Sequence, residues 1–279
     1  MFYKKDGVMK LSRLFVVTFG IGVISYPALN LPYGAPHFAD RSEKQADPAP
    51  KPEKSTKSDF AYHIIINIPS TKLSVYDEDE LVMELPVAVG QAIYKTPTGY
   101  NEIKELIWNP WWYPPKADWA KDEEITPPGP ANPLGPVKIV LGDEIRIHGT
   151  TTPSSIGRAA SHGCIRLNSK DAITLAWFLQ EHLTNKSDKS YLEKYKKFPT
   201  ESFYVKLDEA VPVNIIYDPI AINDGNIIIY PDYYNKISSI KEVAAWKLFA
   251  YGIDPWALNL DGLSKTKKTP KEISIRDLM

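Results

Sequence analysis

The chain has 279 residues, 43% of them hydrophobic and 24% charged, with a formal net charge of −1. That length holds one sizeable domain with extensions, and the near-zero charge argues against nucleic-acid recognition through phosphate neutralisation. The 24 prolines and 16 tyrosines favour loops and strands over long helices.

Taken in chain order, residues 1–35 read as a signal peptide or an N-terminal membrane anchor. Lys4, Lys5, Lys10 and Arg13 precede an apolar run over residues 14–24 that Gly20 and Gly22 interrupt. The run is short of the ~20 apolar residues that a membrane span needs and has the length of a signal-peptide core. Ala28 and Ala35 are candidate cleavage ends, but Tyr26 and Tyr33 stand where a small residue is wanted, which keeps an uncleaved anchor open. Residues 36–60 carry Pro48, Pro50 and Pro52 among many lysines and acids. They lack the apolar content to fold, and a solvated tether is expected.

Segments rich in β-branched and aromatic residues follow at 62–68, 72–76, 81–89, 99–108, 137–141, 144–148, 203–207 and 212–217. Turn residues such as Pro69-Ser70 and Gly142-Asp143 punctuate them. So many short strands predict a mainly β, sandwich-like domain or partly closed barrel. One helix is well signalled: Asn168 and Asp171 form a capping pair, and Ala172, Leu175, Ala176, Leu179 and Leu183 share a face. Residues 185–202 are polar and lysine-rich and read as an insertion. Residues 218–279 form a C-terminal extension with a strand-like stretch at 226–230, a helix-like stretch at 240–251 and a charged, mobile tail at 264–279. The role of this extension is not legible in its residues.

The chemistry concentrates at His148-Gly149-Thr150 and Ser161-His162-Gly163-Cys164-Ile165-Arg166-Leu167. Cys164 is the only cysteine of the chain, and the two segments hold two of its five histidines. A lone cysteine cannot form an internal disulfide, so its retention in an exported protein points to use as a reactive thiol. Cys164 is the candidate nucleophile, and an imidazole, titrating near neutrality, makes His148 the candidate base and later acid. His162 competes, because i and i+2 share a face on an extended strand. The Gly163 and Cys164 amides are candidate donors to an oxyanion. Arg166 suits a substrate carboxylate, because its guanidinium forks around one, with a surface ion pair as the alternative. Trp108, Trp111, Trp112, Tyr113 and Trp119 form an aromatic cluster that serves either packing or a ligand wall. His148, His162 and Cys164 could in principle bind zinc, but no CxxC or HxxxH spacing supports a metal, and no cofactor is expected.

These motifs resemble those of the L,D-transpeptidase (YkuD-type) catalytic domain, a family of bacterial cell-wall enzymes. Beyond the His-Gly and Ser-His-Gly-Cys elements, the resemblance rests on Pro86-Val87-Ala88-Val89-Gly90, Thr96-Pro97-Thr98-Gly99, Pro110-Trp111 with Pro114-Pro115, and the run from Pro127-Pro128-Gly129 through Asn132-Pro133-Leu134-Gly135. It covers residues 62–217, which sets a catalytic domain at 61–217. The resemblance implies a β-sandwich-like fold and His148 as base, with the Gly149 carbonyl orienting its ring. It also implies a supporting role for His162 and a cleft bordered by the loop of Trp112 and Tyr113, the candidate substrate-binding residues with Arg166.

Its implied activity is attack of Cys164 on a peptidoglycan tetrapeptide stem, release of D-alanine and transfer of the acyl group to an amine. The acceptor would be another stem, giving a 3→3 cross-link, or a wall-attached lipoprotein. A cysteine carboxypeptidase on wall peptides is the first alternative, and a non-catalytic peptidoglycan-binding protein is the second. A papain-like arrangement is disfavoured because there the cysteine precedes the histidine. Location in the periplasm or cell envelope follows from the expected export.

Overall fold

The computed structural model describes residues 61–142 and 145–279. The expected export signal and tether, and residues 143 and 144 of the expected strand 144–148, lie outside the described residues. The strands up to the first helix are Tyr62–Asn67 (β1), Lys72–Asp77 (β2), Glu80–Pro86 (β3), Val89–Gly90 (β4), Gly99–Trp108 (β5), Val137–Leu141 (β6), Ile145–His148 (β7), Ala159–Ser161 (β8) and Ile165–Arg166 (β9). Helices Ser169–Leu183 (α1) and Lys189–Lys197 (α2) come next, then the long strand Phe203–Ile216 (β10). Ile220–Asn223 (β11), Asn226–Ile229 (β12), helix Ile240–Ala250 (α3) and Lys271–Ser274 (β13) complete the order.

The domain is mainly β. Eight strands form one sheet in the order β3-β2-β1-β10-β5-β6-β7-β9, with parallel pairing at β1–β10 and β7–β9. Alternation sets its buried face, as period-two patterning requires. Ile64 and Ile66 on β1, Leu73 and Val75 on β2, and Val137, Ile139 and Leu141 on β6 all point into the core. The segments 203–207 and 212–217 are one strand rather than two. Lys206 pairs with Glu105 and Val211 with Ile103, so a bulge takes up the extra residues of β10. The inward parity survives it, because Val205, Leu207, Val211, Val213 and Ile215 are all buried.

Helix α1 starts where the capping pair predicts. Asn168 Oδ1 accepts from the Lys170 and Asp171 amides at 2.9 and 3.0 Å, and the Asn168 side-chain amide donates to Asp171. The predicted face, Ala172, Leu175, Ala176, Leu179 and Leu183, is buried, and Gln180 is buried with it, as α1 packs on β6, β7 and β10. The polar stretch after it contains the unforeseen helix α2, capped by Asp188. Its Tyr195 stacks on Trp108 at 5.0 Å between centroids.

The C-terminal extension has its own small core. Ile220, Ile227 and Ile229 of the β11-β12-β13 sheet pack with Ile240, Ala244 and Leu248, the i, i+4, i+8 face of α3. The expectation of a mobile tail at 264–279 is not met. β13 pairs with β12, and Leu278 is buried in that second cluster. The short apolar spacing Ile273, Ile275, Leu278 hides among charges, and no helical or long strand period announces it. No helix among the described residues is long and apolar enough to cross a membrane.

Gln180 is the one buried polar residue on the inner face of α1. It accepts from the Trp108 indole N–H at 2.8 Å and donates to the Lys186 carbonyl at 2.8 Å and the Tyr195 hydroxyl at 3.3 Å. Gln180→Leu keeps the volume but strands the indole donor and the carbonyl. It should cost about 1–3 kcal/mol, read as a lower urea midpoint with an unchanged m-value.

Candidate active site

Strand β7 carries His148 at its end, between β6 and β9, and the ring is buried at 6% exposure. Nδ1 lies 2.6 Å from the carbonyl oxygen of Gly149. A carbonyl only accepts, so Nδ1 bears the proton and the neutral ring keeps its lone pair on Nε2. Gly149 is closely hemmed in at this point. A Cβ there would sit 3.0 Å from the Pro136 ring and 3.1 Å from the Leu134 carbonyl oxygen. Gly135, at φ +67, presses on Gly149 from the same side. The Asn132-Pro133-Leu134-Gly135 run thus forms the wall against which the histidine's carbonyl is held. Asn132, wholly buried, secures that wall with side-chain bonds to the carbonyls of Pro110, Thr126 and Pro127 at 2.8–3.1 Å.

Cys164 lies in the turn between β8 and β9, half-buried. Ser161 builds the turn: its hydroxyl donates to the Cys164 carbonyl at 2.5 Å and accepts from the Gly163 amide at 3.1 Å. Gly163 takes φ +110, a conformation that L side chains rarely adopt. The parallel pairing of Ile147 with Ile165 and His148 with Arg166 brings the segment of Cys164 alongside the strand of His148. The backbone of Arg146, two residues before His148, hydrogen-bonds the thiol.

Three of the expected groups need restating from this geometry. The Gly163 amide is taken up by Ser161 in this structure, which leaves Cys164's own amide as the other candidate donor of the pair. His162 is exposed and held between rings: Trp119 stacks on it at 4.0 Å with planes 6° apart, and Tyr94 meets it edge-on at 4.8 Å. Trp119 is therefore the member of the aromatic loop that touches the nucleophile's segment. Tyr113 is exposed and stacks with Trp111 at 6.3 Å, while Trp112 is tied through its backbone to Thr126. Among the described residues, neither Trp112 nor Tyr113 makes a ring contact or hydrogen bond with Cys164 or His148.

The electrostatics are one-sided. Burial pushes the Cys164 thiol above its ordinary value, and the Arg146 backbone with the charges of Arg146, Arg166 and Lys138 pulls in the opposite direction. Lys138 pairs with His148 across β6 and β7, and sequence reasoning missed it because a lysine between core residues of a strand reads as a solvated side chain. Arg166 is half-buried, donates to the Ala160 carbonyl at 3.4 Å and has no carboxylate partner among the described residues. Burial lowers its pKa and that of Lys138. Burial also drives His148 down to about 4, with the Gly149 hydrogen bond opposing and Arg166 and Lys138 reinforcing the shift. Thiol and imidazole thus both favour their neutral forms near pH 7. Among the described residues, no group of three or more His, Cys, Asp or Glu side chains could hold a metal ion.

A mainly β domain with a histidine locked on a backbone carbonyl beside a cysteine turn defines the class. The family model for the YkuD, L,D-transpeptidase catalytic domain matches residues 61–215, more than half of the chain. The chain belongs to that family. YkuD of Bacillus licheniformis, named as an L,D-transpeptidase, is 34% identical over 116 residues, covering 41% of this chain and 58% of the relative. ErfK/SrfK of Escherichia coli, named likewise, is 33% identical over 117 residues, covering 39% and 38%. The chain thus spans little more than half the length of these relatives, or less. The solved structure of an L,D-transpeptidase from Mycobacterium smegmatis is similar at a TM-score of 0.36 and 14% identity, over 56% of this chain and 58% of that one. That similarity is too low to carry an argument.

Two outcomes follow from the burial. Because the Cys164 pKa is raised from 9.0, its alkylation by iodoacetamide should keep climbing through pH 9; a plateau below pH 7 would instead reveal a resting thiolate–imidazolium pair. For His148 the unfolded chain protonates near 6.5 and the folded chain only near 4. The stability that comes from burying a neutral ring is complete above pH 6.5 and is lost as pH falls toward 4, on the order of 3 kcal/mol. Urea melts at pH 7.5 and 4.5 should show His148→Gln losing less stability across that window than the wild type.

Proposed function

We propose that the chain is a peptidoglycan L,D-transpeptidase that uses Cys164 as nucleophile and His148 as general base and acid. The observation that carries this reading is the 2.6 Å bond from His148 Nδ1 to the Gly149 carbonyl, which leaves Nε2 as the proton acceptor on a strand paired with the one that follows Cys164. Sγ attacks the carbonyl of the third, diamino-acid residue of a tetrapeptide stem while its proton passes to Nε2. Negative charge on the carbonyl oxygen is met by the Cys164 amide, in the field of Arg146, Arg166 and Lys138. The C–N bond breaks, D-alanine leaves with the proton from His148, and a thioester remains. An acceptor amine then loses its proton to His148 and attacks the thioester. The C–S bond breaks, Sγ recovers the proton, and an amide is formed.

Arg166, half-buried and without a carboxylate partner among the described residues, suits the stem's terminal carboxylate. The His162 stack on Trp119 supports His162 as a holder of the loop rather than a second base. Because such a substrate lies outside the cytoplasmic membrane, residues 1–35 would direct the chain to the periplasm or envelope. The amine is carried by a second stem or by a wall-attached lipoprotein.

Mass analysis of products from purified disaccharide-tetrapeptide tests the reading. A dimer formed with loss of D-alanine is expected, whereas tripeptide alone would identify a carboxypeptidase. Cys164→Ala should abolish turnover without unfolding, Cys164→Ser should be nearly inactive, and His148→Ala should slow acylation by about 10²–10⁴-fold. Wild-type product from Cys164→Ala would overturn the thioester route.

A further inference from the structure

Tyr234 belongs to the C-terminal extension by sequence, yet it is buried at 5% exposure in the core of the main sheet. Its hydroxyl donates to the Gly90 carbonyl at 2.8 Å and accepts from the Thr96 amide at 2.9 Å. It thereby closes residues 90–96 into a loop from two points 138 and 144 residues away in sequence. Thr96 is 1% exposed, and its hydroxyl accepts from the Gly90 amide and donates to the Gly163 carbonyl, both at 2.8 Å. The loop has no slack: a Cβ on Gly90 would come within 2.1 Å of the Tyr94 carbonyl oxygen. Tyr234 is itself anchored, since its amide donates at 2.9 Å to the Tyr217 hydroxyl, which in turn donates to Asp232 at 2.7 Å.

The Gly163 carbonyl and the Cys164 amide are the two ends of one planar trans peptide, so they point in opposite directions. Whatever holds the carbonyl aims the N–H. We infer that Tyr234 is a positioning residue for catalysis, holding Thr96 so that its hydroxyl pins the Gly163 carbonyl and turns the Cys164 amide toward the developing oxyanion. The extension then contributes a strut to the oxyanion site. The inference rests on the reading of Cys164 given above and adds a role for residues outside the family match, which ends at residue 215.

The test compares two reactions of Cys164 in the full chain. Acylation by a carbapenem builds negative charge on a carbonyl oxygen and needs an aimed donor. Alkylation by iodoacetamide displaces iodide at a saturated carbon and needs none. Tyr234→Phe removes only the hydroxyl, and it should slow acylation by about tenfold or more while alkylation stays within about twofold, given the 10²–10³ typical of one lost oxyanion donor. Thr96→Val should reproduce the pattern, and Thr96→Ser, which keeps the hydroxyl, should acylate as the wild type does. Thermal melts on each variant establish folding, and if Tyr234→Phe does not fold, the Thr96 pair decides. Unchanged acylation in Tyr234→Phe and Thr96→Val overturns the inference while leaving the proposed function standing. An equal fall in both reactions also overturns it, because the loop would then have been lost as a whole. A wild-type chain that is alkylated but never acylated overturns the proposed function, and this inference with it.

Discussion

A buried imidazole is stable only if one ring nitrogen has a fixed partner, and in this protein the partner is the carbonyl of the next residue. The bond from His148 Nδ1 to Gly149 O requires the chain to turn immediately after the strand. The turn is tight enough that a side chain at 149 would strike Pro136 and the Leu134 carbonyl. The glycine, the proline-rich wall and the asparagine that staples the wall are consequences of that requirement. So is the end of β7: its last residue points its ring back along its own backbone, and Leu167 bonds to the His148 carbonyl. The segment of Cys164 is thereby tied to the strand of His148 by backbone pairing, which holds geometry better than side chains on mobile loops.

The same burial decides how the site holds charge. A thiol and an imidazole set in low dielectric favour their neutral forms, and the charges of Arg166 and Lys138 leave the imidazole still less inclined to protonate. Those cations act differently on the two partners, since they oppose imidazolium but favour thiolate and oxyanion. An arrangement of this kind stores little charge separation at rest and gives most of its electrostatic benefit when negative charge appears on sulfur and then on oxygen. Preorganised donors and charges have their greatest catalytic effect under that condition.

Much of this was legible in the sequence because it is local. Period-two burial gave most strands of the main sheet, although the stretch 81–89 divides into β3 and β4, 203–217 runs as one strand, and the short β8, β9, β11 and β13 carry too few residues to show a period. The Asn168–Asp171 pair gave the start of α1, and the spacing of His148, Gly149 and Cys164 pointed to the candidate site. What escaped is written in contacts between distant residues or in weak periods. Helix α2 has a single buried residue, Tyr195, and six of its nine positions are lysine, serine or glutamate, so its composition reads as a solvated stretch. Lys138 matters because β6 and β7 pair in a register that no local pattern specifies. The Gly163 amide looked available because the hydroxyl that engages it, on Ser161, reads equally well as a spacer in the motif. The tail at 264–279 looked mobile because one leucine and two isoleucines among charges carry no period, although Leu278 finds a small core prepared by α3 and β12.

Two segments remote in sequence converge on the cysteine turn, each through a different force. Trp119 reaches it by stacking on His162 and Thr96 by a hydroxyl on the Gly163 carbonyl, while Ser161 braces it from within. Stacking on an exposed histidine is weak and sequence-tolerant, so losing the Trp119 contact would cost the cysteine turn little. The Thr96 bond is buried and short, and leaving it unmade would strand a carbonyl in the core. Breaking contact is therefore cheap on the aromatic side and costly on the side of residues 90–96.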